Sequence, residues 1–210
     1  VCNFKFKKIF VGGRGTTYCP SCQKNPAVPL TVAITGQKAS GKTLIANYLR
    51  KNGHKVIDTD KLAKELYKDI KITTDLEKHL GVNLHDNTTF NLQYLRNYLV
   101  ENENEIKKLN DFIHPLVKKE IIEIIKTSNE AILYFEVPLL FSHKIYELFN
   151  FMIGVEVSVE KQLKNLEKRG DTHTINADEA YMKNRHKLDL IIVNDGSEQD
   201  LIEKFKAFKV

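Results

Sequence analysis

The apolar residues of this chain fall into two rhythms. "LTVAITG" (30–36) is a continuous apolar, β-branched run that ends in glycine, the signature of a buried strand. "HKVIDTD" (54–60), "AILYFEV" (131–137), "FMIGVEV" (151–157) and "LDLIIVN" (188–194) have the same character. Between these runs the apolar positions recur at three- and four-residue intervals. "KTLIANYLRKN", "DKLAKELYKDI", "ENEIKKLNDFIHPLVKKEIIEIIKTS", "VEKQLKNLEKRG" and "EQDLIEKFKAF" therefore predict amphipathic helices. Strands that alternate with such helices predict an α/β fold with a parallel sheet covered on both faces. The stretch between the second and third strands is long and mainly helical, and it reads as a subdomain.

The first 25 residues break this pattern. "KNPAVP" (24–29) has two prolines and no periodicity, and it reads as a linker. It divides a short segment, 1–25, from a domain at 30–210. Residues 1–29 carry Lys5, Lys7, Lys8, Arg14 and Lys24 and no acid, which accounts for the whole net charge of +5. Such charge suits a phosphate backbone, although charge alone equally describes a solvated basic tail. No run is long enough to span a bilayer. With neither an export signal nor a disulfide framework, the expected location is cytoplasmic. The chain has no initiating Met, so it reads as cut from a longer one.

The strongest chemical signal is "GQKASGKT", Gly36 to Thr43, which fits G-x-x-x-x-G-K-[ST] at every fixed position. It follows a predicted strand and opens a predicted helix, as a phosphate-binding loop must. Its glycines allow a tight turn, and the helix N-terminus favours negative charge. Gly36, Ala39, Ser40, Gly41, Lys42, Thr43 and Leu44 are the candidate ATP-binding residues. Lys42 is placed to reach the β- and γ-phosphates, and the Thr43 hydroxyl to bind Mg²⁺. The loop by itself does not separate a kinase from a GTPase or an ATP-driven machine. "VIDTD" (56–60) ends the second strand with two carboxylates, and phosphoryl transfer to a hydroxyl needs a carboxylate to take its proton. Asp60 is the candidate, with Asp58 behind it as a substrate contact. Either could instead cap the helix that follows.

"ITGQKASGKT" and "GHKVIDTDKLAKELY", with "LNDFIHPLV" (109–117), "FEVPLLF" (135–141), "VEKQLKNLEKRGD" (159–171) and "LIIVNDGS" (190–197), resemble the dephospho-CoA kinase family in order and content. The resemblance covers residues 30 to about 208. It implies a P-loop kinase fold: a five-stranded parallel sheet with helices on both faces, a helical substrate region and a lid. It implies transfer of the γ-phosphoryl of ATP, with Mg²⁺, to the 3′-hydroxyl of dephospho-CoA. It also implies roles for His114, Pro138 and Leu139 at the substrate, for Glu136 in holding Mg²⁺ through water, and for Arg169 as a catalytic lid cation. "NDGS" would line the adenine pocket. The chain departs from the family at Asn165, where Arg is common, at Ser142, and in a shortened stretch before Leu188. Pro115 predicts a kink or a helix start within "IHPLV". Other readings remain: a kinase of nucleosides or nucleotides, or a DNA-binding module whose P-loop domain senses nucleotide.

"FVGGRGTTYCPSCQ" resembles the C-terminal zinc finger of formamidopyrimidine-DNA glycosylase, which reads C-x₂-C-x₁₆-C-x₂-C. Cys2, Cys19 and Cys22 match three of the four ligands, with sixteen residues between Cys2 and Cys19. The first ligand would lie upstream of Val1. The resemblance implies an incomplete Zn²⁺ site and a DNA phosphate contact for Arg14, with DNA a partner if the glycosylase is attached. A glycosylase–kinase fusion and an overlap of neighbouring genes both account for the join.

Overall fold

The computed structural model describes residues 7–11, 14–19, 29–86, 89–170 and 179–208. Its elements in chain order begin with β1 (Lys7–Val11), β2 (Arg14–Tyr18), β3 (Leu30–Gly36), α1 (Lys42–Lys51) and β4 (Val56–Asp58). Next come α2 (Thr59–Leu66), α3 (Ile70–Leu80), β5 (His85–Asp86), β6 (Thr89–Phe90), α4 (Leu92–Glu101) and α5 (Glu105–Thr127). The last are β7 (Ile132–Glu136), β8 (Phe151–Glu156), α6 (Val159–Glu167), α7 (Glu179–Asn184), β9 (Leu190–Val193) and α8 (Glu198–Lys206). The chain divides into two compact units, one holding the described residues up to Asp58 and from Ile125 onward, the other Thr59–Ile124.

The first unit is built on a five-stranded sheet in the order β4-β7-β3-β8-β9, with every neighbouring pair parallel. These are the five strands expected from the apolar runs. β3 lies in the middle and is buried along its whole length. A continuous apolar run is what a strand covered on both faces requires. Ile34, Ile45, Leu49, Phe151, Ile153, Leu201 and Phe205 form the core on one side of it. Burying each of these side chains contributes about 1.5–3 kcal/mol. Tyr48 of α1 meets Phe205 of α8 edge to face at 6.2 Å. Ser197 caps α8 in a reciprocal box with Asp200, so the polar "NDGS" stretch becomes a fixed corner after β9.

The second unit has its own core of Leu76, Leu80, Leu84 and Leu95. A single helix over 60–70 does not form. α2 ends at Leu66, and Asp69 starts α3 by accepting a hydrogen bond from Lys71 N at 2.8 Å. Asp60 does not cap α2 but sits inside its first turn, where a carboxylate favours the helix dipole. α5 runs unbroken through Pro115. The proline removes one hydrogen bond, while Ile113, Val117 and Ile121 bury the helix's apolar side on either side of it. Among the described residues, no helix is long and apolar enough to cross a membrane.

β1 and β2 pair as an antiparallel hairpin, Lys7 opposite Tyr18 and Val11 opposite Arg14. Cys19, next in the chain, is 4% exposed and belongs to the first unit's apolar core with Leu30 and Phe205. Among the described residues, no group of three or more His, Cys, Asp or Glu could hold a metal ion. Cys2, Cys22 and most of the expected linker lie outside the described residues, as does 171–178 of the expected lid.

Candidate active site

At the C-terminal edge of the sheet, β3 ends in Gly36 and the chain turns through the loop into α1. Two glycines shape it. Gly36 has φ +141° and Gly41 has φ +108°, both in the region that favours glycine. A Cβ at Gly36 would lie 2.0 Å from Val155 O, and one at Gly41 would lie 2.7 Å from Asn194 Nδ2. Ala39 also has positive φ, +58°, and is buried.

Lys42 opens α1, and its side chain folds back over the loop. Its Nζ donates to Gly36 O at 2.9 Å and Gln37 O at 2.7 Å, which fixes the ammonium above the turn. The Thr43 hydroxyl donates to Glu136 Oε1 at 2.6 Å. Glu136 ends β7, is 6% exposed and is the register partner of Asp58 at the end of β4. Two carboxylates and a hydroxyl therefore share one strand-end edge beside the loop. Leu44, next along α1, is partly buried against the core rather than turned to the loop.

Three amide side chains grip the loop from the other side, and one of the loop's own reaches out to β8's end. Gln162 Nε2 donates to Lys38 O at 2.8 Å, Asn165 Nδ2 to Ala39 O at 3.0 Å, and Asn194 Nδ2 to Ser40 O at 2.7 Å. The Gln37 carbonyl oxygen of the side chain accepts Val157 N at 3.0 Å. Ser40 is fully buried, and its Oγ has no hydrogen-bond partner among the described residues. Beyond Asn165 lies a cleft of ≈350 Å³ lined by Ser158, Lys161, Lys164, Lys168 and Asp195 among others. Asp195, expected near the adenine, accepts Ser158 N at 2.8 Å, and this bond holds its carboxyl below the usual carboxylate range.

Farther along, Arg185 grips Glu156 at the end of β8 through Nε at 2.6 Å and a second nitrogen at 3.0 Å. The Tyr181 hydroxyl donates to the same carboxylate at 3.0 Å. The Arg185 bond holds the Glu156 carboxyl below its ordinary range against the opposing effect of burial. Arg185 thus anchors the foot of α7 on the sheet.

The other expected residues fall in different places. Arg169 is exposed in the turn after α6, its N–H bonded to Leu166 O at 3.0 Å. Leu139 is 45% exposed, whereas Leu140 is core. Pro138 is half-buried, its carbonyl accepting Thr35 Oγ1 at 3.5 Å. In the second unit, His114 is buried on the face of α5 that carries Val117 and Ile121, and Asp60 is exposed on α2. Gln37, Gln162 and Lys161 escaped the motif reading. For Gln162 and Asn165 a signal existed: their i, i+3 spacing sets two amides on one face of the helix that follows β8.

The dephospho-CoA kinase family, described as CoaE, matches residues 30–200 of the chain. A dephospho-CoA kinase of Rickettsia bellii is 35% identical over 141 residues, 67% of this chain and 72% of that protein. One from Fusobacterium nucleatum is 27% identical over 186 residues, 85% of this chain and 96% of that protein. Among solved structures, TT1252 from Thermus thermophilus superposes with a TM-score of 0.65 at 21% identity, covering 86% of this chain and 96% of its own. The dephospho-CoA kinase from Campylobacter jejuni superposes with a TM-score of 0.57 at 19% identity, over 85% of this chain and 97% of its own. At such identities the two structures speak to the fold.

Proposed function

This chain belongs to the dephospho-CoA kinase family, and from that premise we infer that it transfers the γ-phosphoryl group of ATP to the ribose 3′-hydroxyl of dephospho-CoA, forming coenzyme A. The observation that carries the assignment to this site is the loop itself, with Lys42 held above it and Thr43 bonded to Glu136. The loop and the N-terminus of α1 receive the triphosphate, because turned peptides and a helix dipole both favour negative charge. Lys42 offsets the charge that spreads over the transferring group. Thr43 and Glu136 offer oxygen donors only, with Asp58 alongside. That set fits Mg²⁺, a hard cation that prefers oxygen. Bound there, Mg²⁺ supplies charge neutralisation for the phosphates.

The cleft between α6 and the corner after β9 suits the nucleoside end of ATP. It shares Asn165 with the loop, and Asp195 and Ser158 offer polar groups along its wall. Arg169, at the end of the same helical stretch, is the proposed lid cation. Asp60, two residues along the chain from Asp58, is the proposed base for the 3′-hydroxyl, and His114, Pro138 and Leu139 the proposed substrate contacts. Replacing Asp60 by Asn is expected to lower kcat by roughly a hundredfold, the scale of general-base assistance, with little change in ATP affinity. If Asp58→Asn does this damage and Asp60→Asn is mild, the two carboxylates exchange roles.

For residues 1–25, the hairpin and the cysteine spacing support kinship with a glycosylase finger, and Cys19, buried in the core of the first unit, ties the end of the hairpin to that unit. A cytoplasmic setting suits an enzyme of coenzyme A synthesis.

The deciding assay is ADP release from ATP, coupled to a spectrophotometric readout, with dephospho-CoA, nucleosides or duplex DNA as the second component. ADP is expected with dephospho-CoA alone. Comparable turnover on nucleosides would move the chain to another small-molecule kinase class, and DNA-stimulated turnover would point to a nucleic-acid role.

A further inference from the structure

We propose that Gln162, Asn165 and Asn194 are positioning residues that hold the phosphate-binding loop in its receptive shape by fixing three successive carbonyls of it. The inference rests on the reading of Gly36–Thr43 as the triphosphate site, and it adds residues outside that motif.

A peptide group is planar and trans, so its C=O and N–H point in opposite directions. Holding the carbonyls of Lys38, Ala39 and Ser40 against α6 and the corner after β9 turns the N–H groups of Ala39 and Gly41 the other way, while the Ser40 N–H donates within the loop to Gln37 O at 3.3 Å and tightens the turn. That is the direction a phosphate-binding nest requires. The loop does not take this shape on local preference alone. Ala39 lies at φ +58°, a conformation that side chains with a Cβ rarely adopt, and it sits between two of the clasped carbonyls. A residue persists there when its surroundings over-determine it. The amides do this from buried ground: Gln162 is 3% and Asn194 7% exposed.

The orientation of Asn194 is fixed as well. Lys161 Nζ donates to its Oδ1 at 3.2 Å and also to Gly196 O, which leaves Nδ2 as the donor to Ser40. Two of the three amides stand on α6, and Asn165 also lines the cleft assigned to the nucleoside. Whatever settles in that cleft touches a residue that holds the phosphate loop.

Gln162 separates a positioning role from plain stabilisation. Its Nε2 holds Lys38 O, but its Oε1 is buried without a hydrogen-bond partner among the described residues. Gln162→Met keeps the length of the side chain and removes both the donor and the unsatisfied oxygen. Losing an orphaned buried atom offsets losing a bond, so the melting temperature should hold within a few degrees while phosphate binding falls. Asn165→Leu tests the second amide in the same way, and Asn165→Gln restores a donor.

The experiment measures calorimetric affinity for inorganic tripolyphosphate, steady-state KM for ATP and for dephospho-CoA, and melting temperature, all on the full chain. For Gln162→Met and Asn165→Leu, tripolyphosphate affinity is expected to fall about tenfold, the worth of one shielded hydrogen bond. KM for ATP should rise with it and KM for dephospho-CoA should stay put, with Asn165→Gln recovering most of the loss. Tripolyphosphate affinity unchanged in both variants would overturn the proposal. So would losses that track a fall in melting temperature, or an Asn165→Gln variant no better than Asn165→Leu. A wild-type chain that binds tripolyphosphate but leaves dephospho-CoA unphosphorylated would refute the acceptor assignment and leave the clasp standing.

Discussion

Lys42→Ala is expected to lower ATP-dependent phosphorylation of dephospho-CoA by roughly a thousandfold, the upper range for removing one preorganised electrostatic group. The expectation rests on where the ammonium is held. Its Nζ bridges the carbonyls of Gly36 and Gln37, so the charge stands over the loop before any phosphate arrives and needs no reorganisation to act. Lys42 is also 9% exposed, so its charge is little screened by water. Removing it leaves two carbonyls without that donor, at a cost of about 1–3 kcal/mol in stability. Lys42→Met keeps the aliphatic stem and should lose activity to the same degree. Turnover and melting temperature for both variants check this. Activity within about tenfold of wild type in Lys42→Met would assign the lysine to packing and loop stability rather than to the transferring phosphoryl.

The turn at Gly36–Thr43 was legible in the sequence because its two glycines permit backbone that other residues rarely adopt. The five parallel strands were legible for a similar reason: a strand buried on both faces has to be apolar throughout, and few other segments of this chain are. The helix boundaries of the second unit were not. "DKLAKELYKDI" keeps one helical rhythm across a break, and the break is made by Asp69, whose capping bond to Lys71 depends on a local choice that periodicity does not record. Pro115 misled in the opposite sense. A missing hydrogen bond reads as a helix boundary, but burial of Ile113, Val117 and Ile121 carries α5 on through it without a break. The motif reading of the cysteines did not foresee that Cys19 packs into the core of the first unit. The amide clasp left its trace only in the spacing of Gln162 and Asn165. Amides are chemically quiet, and their partners are backbone carbonyls more than 120 residues away in sequence.

Gly36→Ala should be the most damaging exchange to the fold of the first unit. Three constraints meet at this residue. It is the last residue of β3, it pairs with Val155 of β8, and its φ is +141°. A methyl group there would lie 2.0 Å from Val155 O and 2.8 Å from Val155 N. These are main-chain atoms of a neighbouring strand, so no side chain can turn aside. Relief requires β3 and β8 to part at the edge where the loop begins, in the middle of the sheet. The expected loss of stability is above about 4 kcal/mol, in the range kept for backbone strain and overpacking at a buried site. For a chain of this size that lowers the melting temperature by roughly 10 °C or more. Gly53→Ala is the matched comparison. Gly53 also has positive φ, +82°, but a Cβ there would meet nothing within 4 Å. It should cost about 1–2 kcal/mol, the price of the left-handed conformation alone. Thermal melts of the two variants separate close approach from conformational strain. Equal shifts in the two would mean that β3 and β8 can part at Gly36 without penalty, and that the tight strand contact does not set the entry to the phosphate loop.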